Sequence, residues 1–222
     1  MAKVLINGAS GKMGQFIKRI IEENPSLGLQ VTAQRDSGVM TGGEFDLVID
    51  FSLPDGAKEA FDIAKQNKAA FLTGTTALPA DFVNTLKQEK EIAVFYSPNV
   101  SIGVFLFTQL IKQAAALYEG YNKEMHEIHH AQKKDAPSGT AKSLAAAINF
   151  EQDKITYERT GTVPGTHILK LTSPSLDEEI ILTHKALDRK LFAQSAVKVA
   201  AWLAKQKPGF YDMTDFTESL NK

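Results

Sequence analysis

The segment Glu127-Ile128-His129-His130-Ala131-Gln132-Lys133-Lys134-Asp135-Ala136-Pro137-Ser138-Gly139-Thr140 gathers three separable kinds of chemistry. Histidine is the side chain best suited to donate a proton near neutral pH. His129 and His130 close an expected strand, so their side chains begin on opposite faces and do not suit one shared metal. Lys133 supplies a fixed positive charge that can neutralise a carboxylate. Ser138, Gly139 and Thr140 open an expected helix, where hydroxyls and free N–H groups suit an anion. A proton donor, a cation and an anion-binding helix end so close together describe a pocket in which a carboxylate is held while its carrier is protonated. Taken singly, each has a plainer role: His129 as a satisfied core histidine, Lys133 as solvent charge, Ser138 as an N-cap. No metal is expected, because the chain has no cysteine, and His126, His129 and His130 lack a fixed helical spacing with a carboxylate.

A second constellation stands at the N-terminus. Gly8-Ala9-Ser10-Gly11-Lys12-Met13-Gly14 follows an expected strand and opens an expected helix. In the spacing G-x-x-G-x-x-G, Gly8 permits the tight turn, Gly11 lets backbone approach a pyrophosphate, and Gly14 lets helix and strand pack closely. The helix N-terminus, including Lys12 and Met13, then offers N–H groups to the anion. The alternative is a glycine-rich turn with no ligand. About twenty residues on, NAD-binding chains usually carry an acid for the ribose hydroxyls. Here the second strand ends Gln34-Arg35-Asp36. Gln34 can bond the ribose without repelling a 2′-phosphate, and Arg35 can pair with one. The expectation therefore leans to NADPH, or to tolerance of NADPH and NADH alike; the other reading of Arg35 is a solvated strand-end charge. Two further strand ends, Asp50-Phe51-Ser52-Leu53-Pro54 and Thr73-Gly74-Thr75-Thr76, place Phe51, Gly74, Thr75 and Thr76 where open α/β sheets bind ligands. Their hydroxyls are equally suited to capping the next helix.

These residues need elements to position them. Strands are expected at Lys3–Asn7, Leu29–Arg35, Asp46–Asp50, Ala70–Thr73 and Ile92–Tyr96. They alternate with helices at about Lys12–Asn24, Asp55–Gln66 and Pro79–Lys90. Such β-α-β-α order implies a parallel sheet with right-handed crossovers. Asp36–Glu44 reads as a polar connection. After Pro98-Asn99 the pattern changes: a helix over about Ser101–Tyr118, a strand Lys123–His130, a helix from Ser138 to about Ile148, then strands near Ile155–Arg159, Thr166–Leu171 and Glu179–Lys185. That succession predicts a mixed or antiparallel sheet. The alanine-rich helix Leu191–Lys205 is expected to pack back on the first domain. The fold class is α/β, a Rossmann-type dinucleotide-binding domain with a central α+β domain.

Composition removes other classes. The 222 residues carry a net charge of −1, and the 25 basic residues are scattered, so no nucleic-acid partner is expected. No stretch approaches a membrane span, and the N-terminal apolar run is too short for a signal peptide. With no cysteine present, a cytoplasmic protein is expected.

Glu127 to Ala141 spells E-x-H-H-x-x-K-x-D-A-P-S-G-T-A. With it come the N-terminal glycine motif, Asp50-Phe51-Ser52-x-Pro54, Gly74-Thr75-Thr76, Ser97 to Val104, Arg159 with Gly161, Pro164-Gly165-Thr166-His167, His184-Lys185-Ala186, Arg189-x-x-Phe192-Ala193 and Pro208 to Met213. In these motifs, spread along the whole chain, the sequence resembles the 4-hydroxy-tetrahydrodipicolinate reductases (dihydrodipicolinate reductases) of bacterial lysine biosynthesis, the diaminopimelate route. The resemblance implies NAD(P)H-dependent reduction of 4-hydroxy-tetrahydrodipicolinate, a small dicarboxylate, to tetrahydrodipicolinate. It implies a dinucleotide-binding domain formed by residues 1–100 plus 190–222, and a central domain, 101–189, that binds substrate and builds a homotetramer. By motif position His129 is the acid and Lys133 its partner. His130, Lys133, Ser138, Gly139 and Thr140 contact the substrate. Gly11, Lys12, Met13, Arg35, Gly74, Thr76 and the turn Pro98-Asn99-Val100 contact the cofactor. The chain departs from the family pattern in a short Asp36–Asp46 connection, in Gln34 at a commonly acidic position, and in Leu53 and Phe105 where arginine and asparagine occur. The rival readings are a related imine or amino-acid dehydrogenase, and a catalytically silent dinucleotide sensor.

Overall fold

The computed structural model describes residues 1–175 and 177–220. Met1–Ser101 and the segment from Lys190 onward form one compact unit, and Ile102–Arg189 form another.

The first unit is a seven-stranded sheet flanked by helices. Its strands are β1 (Ala2–Asn7), β2 (Leu29–Asp36), β3 (Val39–Gly42), β4 (Leu47–Asp50), β5 (Ala70–Thr73), β6 (Ala93–Tyr96) and, from the C-terminal segment, β11 (Gly209–Tyr211). Their order is β11-β6-β5-β4-β1-β2-β3. All pairings are parallel except that of β3 with β2. β4 is wholly buried, which explains its unbroken apolar run between two helix layers. Helices α1 (Lys12–Glu23), α2 (Pro54–Gln66) and α3 (Ala80–Gln88) make the crossovers. The chain leaves β1 in one direction to reach β2 and later returns to pair β4 on its other side, so the switch point of the sheet lies between β1 and β4. The C-terminal helix α6 (Lys190–Leu203) buries Ala193, Ala196, Val197, Ala200 and Leu203 and packs on α1, as its alanine-rich face predicted.

Three elements differ from expectation. The polar connection after Asp36 is a hairpin. Ser37 and Gly38 both take positive φ, the two-residue turn suited to antiparallel strands, and β3 pairs back along β2. β3 is exposed at all four positions and therefore shows no apolar alternation. Downstream, β11 is three residues long, too short for a periodic signal. α7 (Met213–Ser219) starts at a reciprocal Asp212–Asp215 capping box.

The second unit places helices α4 (Ile102–Leu117) and α5 (Gly139–Ala147) on a four-stranded mixed sheet ordered β10-β9-β7-β8. The strands are β7 (Asn122–His129), β8 (Thr156–Arg159), β9 (Gly165–Thr172) and β10 (Glu179–Ala186). β7 pairs β8 in parallel and β9 antiparallel, and β9 pairs β10 antiparallel. Met125, Leu169 and Leu171 join Phe107, Ile111, Leu144 and Ala145 in the core. Strand alternation puts Glu127 and His129 on the same face as Met125, and His167 on the same face as Leu169. The core-facing surface of the sheet thus turns from apolar to ionisable along its length.

Candidate active site

In the first unit the strand ends are in register. Asn7 lies opposite Arg35 on one side and Asp50 on the other, and Asp50 lies opposite Thr73. Parallel pairing therefore carries a polar row across the carboxyl ends of four strands. The Asn7 amide donates to Asp50 Oδ1 at 2.7 Å and to the Gly56 carbonyl at 3.1 Å. Asp50, fully buried, accepts from Thr73 and Thr75 hydroxyls at 2.7 Å each and from Ser52 at 2.5 Å. Its charge is thereby satisfied by donors, as burial demands.

Above this row the glycine turn is built as its spacing predicts. Gly8 has φ +79°, and a Cβ there would stand 2.5 Å from the Phe51 carbonyl oxygen. At Gly14 a Cβ would stand 2.2 Å from the Gly8 oxygen, so α1 and the turn meet at backbone contact. α1 has no side-chain cap at Gly11 and no acid in its first turn. Its first N–H groups are not covered by a side chain, which is the condition for a phosphate. Lys12 is exposed and Met13 half-buried beside them. A cleft of about 560 Å³ opens here, lined by Gly8, Ser10, Gly11, Arg35, Asp36, Phe51 and Glu59 among others. A Cβ at Gly74 would meet the Phe51 ring at 2.2 Å, so the β5 turn lies directly against that ring. These cradles fit a dinucleotide.

Not every expected contact keeps its role free. Arg35 is not a solvated strand-end charge: it is 6% exposed, donates to Asn7 Oδ1 at 2.9 Å and is ion-paired with Glu59 of α2. A 2′-phosphate would meet Arg35 already paired with Glu59, whose own side chain is exposed. Gln34 is half-buried, one residue earlier. Asp36 instead lines the cleft, its carboxylate accepting from the Ser10 N–H at 3.0 Å and from the Ser10 hydroxyl at 2.9 Å. The Thr75 hydroxyl is engaged by Asp50 and by the Ser52 N–H. Thr76 and Pro98 are exposed and Val100 is buried, while the Asn99 side-chain oxygen accepts from the Ser101 N–H.

The second unit holds the histidine centre. Glu127 is 0% exposed. Its Oε1 accepts from the Ser138 N–H at 2.8 Å and from Arg159 Nη2 at 2.8 Å. Its Oε2 lies 3.1 Å from His129 Nδ1 and 3.9 Å from His167 Nε2, close approaches without hydrogen-bond alignment. Register explains the meeting: Glu127 lies opposite His167, His167 opposite His184, and His129 opposite Arg159. Burial by itself would raise the Glu127 carboxyl. Its contacts with His129, Ser138 and Arg159 outweigh that and hold it well below the usual carboxylate range. Burial, reinforced by charge on His129, pushes the His167 imidazole down to about 4. The donor atoms of Glu127, His129 and His167 lie within 4.8 Å of one another, a grouping the linear spacing did not predict. Arg159 already neutralises the carboxylate, so the set is better suited to a proton than to a divalent cation.

Around it, His130 Nε2 meets the Arg189 guanidinium, and partial burial with the cations Arg189 and Lys133 lowers its imidazole. Lys133 is paired with Asp135 at 2.7 Å. The Ser138 hydroxyl accepts from the Ala141 N–H as the N-cap of α5, leaving exposed Gly139 and half-buried Thr140 as the outer positions of that turn. Residue types and spacing did not single out Asn7, Asp36 and Glu59 in the first unit or Glu127, Arg159, Gly165 and His167 in the second. Gly165 matters sterically: a Cβ there would stand 2.9 Å from His129 Nε2.

Fold and sites together define a Rossmann-type dinucleotide-binding protein with a separate histidine–carboxylate centre. Residues 2–100 match the family model for the dihydrodipicolinate reductase N-terminus, and residues 103–217 that for its C-terminus. The chain belongs to the dihydrodipicolinate reductase family. It is 33% identical to a 4-hydroxy-tetrahydrodipicolinate reductase of Caldanaerobacter subterraneus subsp. tengcongensis, covering 98% of this chain and 99% of the relative. It is 35% identical to the protein of the same name from Bdellovibrio bacteriovorus, covering 96% and 95%. Among solved structures, a dipicolinate-bound dihydrodipicolinate reductase from Paenisporosarcina sp. TG-14 superposes with a TM-score of 0.77 at 20% identity over 96% of this chain and 97% of that one. No helix among the described residues is long and apolar enough to cross a membrane.

Proposed function

We propose that this chain reduces 4-hydroxy-tetrahydrodipicolinate to tetrahydrodipicolinate, with NADH as its preferred reductant. Per turnover, one substrate, one reduced cofactor and one proton give one product, one oxidised cofactor and one water. The nicotinamide, when bound, supplies the hydride. His129 supplies the proton to the enamine that hydride addition leaves. Lys133 and Arg189 bring positive charge to the substrate carboxylates, Lys133 exchanging Asp135 for one of them, His130 offers a hydrogen bond, and Gly139 and Thr140 offer the start of α5. The observation that carries this reading is the buried His129 beside Glu127, with the cations Lys133 and Arg189 at the same strand end.

NADH is preferred because the acid that ends β2, Asp36, lines the adenosine end of the cleft. A carboxylate there accepts from a ribose diol and repels a 2′-phosphate. Arg35, held by Asn7 and Glu59, does not offset it. The outer face of the β10-β9-β7-β8 sheet exposes Ile181 at 58% together with half-buried Ile128 and Ile168, a surface suited to a homotetramer.

The test is the loss of reduced-nicotinamide absorbance when freshly prepared 4-hydroxy-tetrahydrodipicolinate is added to the purified protein. Turnover with NADH at higher kcat/KM than with NADPH is expected. Tight cofactor binding without oxidation would leave the silent-sensor reading standing instead.

A further inference from the structure

We propose that Glu127 is a positioning residue for His129: its buried carboxylate holds the proton-bearing Nδ1 edge of the imidazole, so that Nε2 is the atom that delivers the proton. This rests on the reductase reading for its kinetic consequence but not for its structural one.

Three observations carry it. Glu127 has no solvent contact, and among the described residues Oε2 faces two imidazole edges, His129 Nδ1 at 3.1 Å and His167 Nε2 at 3.9 Å. Oε1 is immobilised by two donors from two other elements, the Ser138 N–H at the start of α5 and Arg159 of β8. One carboxylate therefore ties the acid to the helix end that is proposed to receive the substrate. On the opposite edge of the ring, Nε2 lies over Gly165, where the missing side chain leaves it uncovered. At 3.1 Å, a small rotation of the ring aligns the Nδ1 N–H with this carboxylate, and a carboxylate that accepts at one ring nitrogen sets the tautomer at the other. The remaining groups near His129 are neutral His167, which shares the carboxylate, and the cations Arg159, Lys133 and Arg189, with His130 and Asp135 at the strand end. Against that positive surround, Glu127 is the negative charge that touches the ring.

The experiment compares kcat and KM of the wild type, Glu127→Gln and Glu127→Asp, alongside ¹⁵N spectra of histidine-labelled wild type. Glu127→Gln, whose amide can donate as well as accept at the Nδ1 edge, is expected to lower kcat by about 10²-fold, the effect of a misplaced reacting group, with KM for NADH unchanged. Glu127→Asp, which keeps an acceptor-only carboxylate, recovers part of that loss. A folded Glu127→Gln protein with wild-type kcat overturns the proposal. Should that variant fail to fold around unpaired Arg159, the spectra decide: neutral wild-type His129 protonated at Nδ1 supports the assignment, and protonation at Nε2 overturns it. A wild type with no turnover would refute the reductase reading alone, because the tautomer is read without substrate.

Discussion

The His167 ring stands edge-on to His129, with centroids 5.3 Å apart and planes at 75°, and both imidazoles border the same carboxylate. A single negative charge cannot serve two imidazolium ions in a buried site. The pair is resolved by asymmetry: His167 is 5% exposed and held neutral, its pKa down to about 4 from an ordinary 6.5.

That depression makes the fold acid-sensitive in a defined window. A histidine whose folded pKa lies below its unfolded value binds fewer protons when folded, so stability is complete above the unfolded value and falls as pH drops. For His167 the window runs from 6.5 down to about 4, and the loss is at most about 3 kcal/mol. Glu127, whose carboxyl is lowered, adds its own loss only below its ordinary 4.5. Urea midpoints measured across this range should fall for the wild type and flatten for His167→Leu. Parallel curves would show that His167 is not the group being charged.

Cofactor choice is the second outcome to check. Asp36→Asn keeps the size of the side chain and removes its charge. Hydrogen bonds to charged groups contribute about 1.5–3 kcal/mol, so kcat/KM with NADH should fall by about 10- to 100-fold while that with NADPH rises. If NADPH is already preferred by the wild type, Arg35 must release Glu59 on binding, and Asp36 loses the role given to it.

Much of this was legible in the chain because the governing interactions are local. The glycine turn, the apolar strand Leu47–Ile49 and the alanine-rich α6 follow from backbone sterics and periodicity within a few residues. The polar row at the sheet end was not, since Asn7 meets Arg35 and Asp50 only after strand register is set. Arg35 illustrates the cost of that gap. Read along the strand it is a terminal cation, but α2 brings Glu59 over it. In the same way Glu127 and His167 are forty residues apart by number and become neighbours through one antiparallel pairing. The β2–β3 hairpin escaped notice because Ser37 adopts a positive φ that serine seldom takes.

The dinucleotide cradle makes a stringent steric prediction. A methyl at Gly14 would stand 2.2 Å from the Gly8 oxygen, 2.7 Å from Ala9 Cα and 2.9 Å from the Ala9 oxygen, all backbone atoms. No rotamer change relieves these contacts, so α1 must shift away from the turn. Gly14→Ala should cost about 1–3 kcal/mol of stability, as overpacking does, and weaken NADH binding by at least about tenfold. Gly43, whose Cβ would meet nothing within 4 Å and whose φ lies outside the left-handed region, provides the comparison: Gly43→Ala should leave both quantities unchanged. Calorimetric titration of NADH and thermal melts of the two variants measure the difference.

Gly165 tests the acid from the side opposite Glu127. Its backbone lies outside the left-handed region, so alanine is conformationally acceptable there, yet the added methyl would stand 2.9 Å from His129 Nε2 and 3.5 Å from the His167 ring. The imidazole is the softer partner and must move, carrying Nε2 away from its position while Glu127 still holds the other edge. Misplacing a reacting group by about 1 Å can cost about 10²-fold in rate. Gly165→Ala is therefore expected to fold, to bind NADH as the wild type does, and to lose kcat by about that factor. In ¹⁵N spectra its His129 should keep the Nδ1-protonated tautomer because the carboxylate is intact, which separates it from Glu127→Gln. Wild-type turnover in Gly165→Ala would mean that the proton does not leave from Nε2.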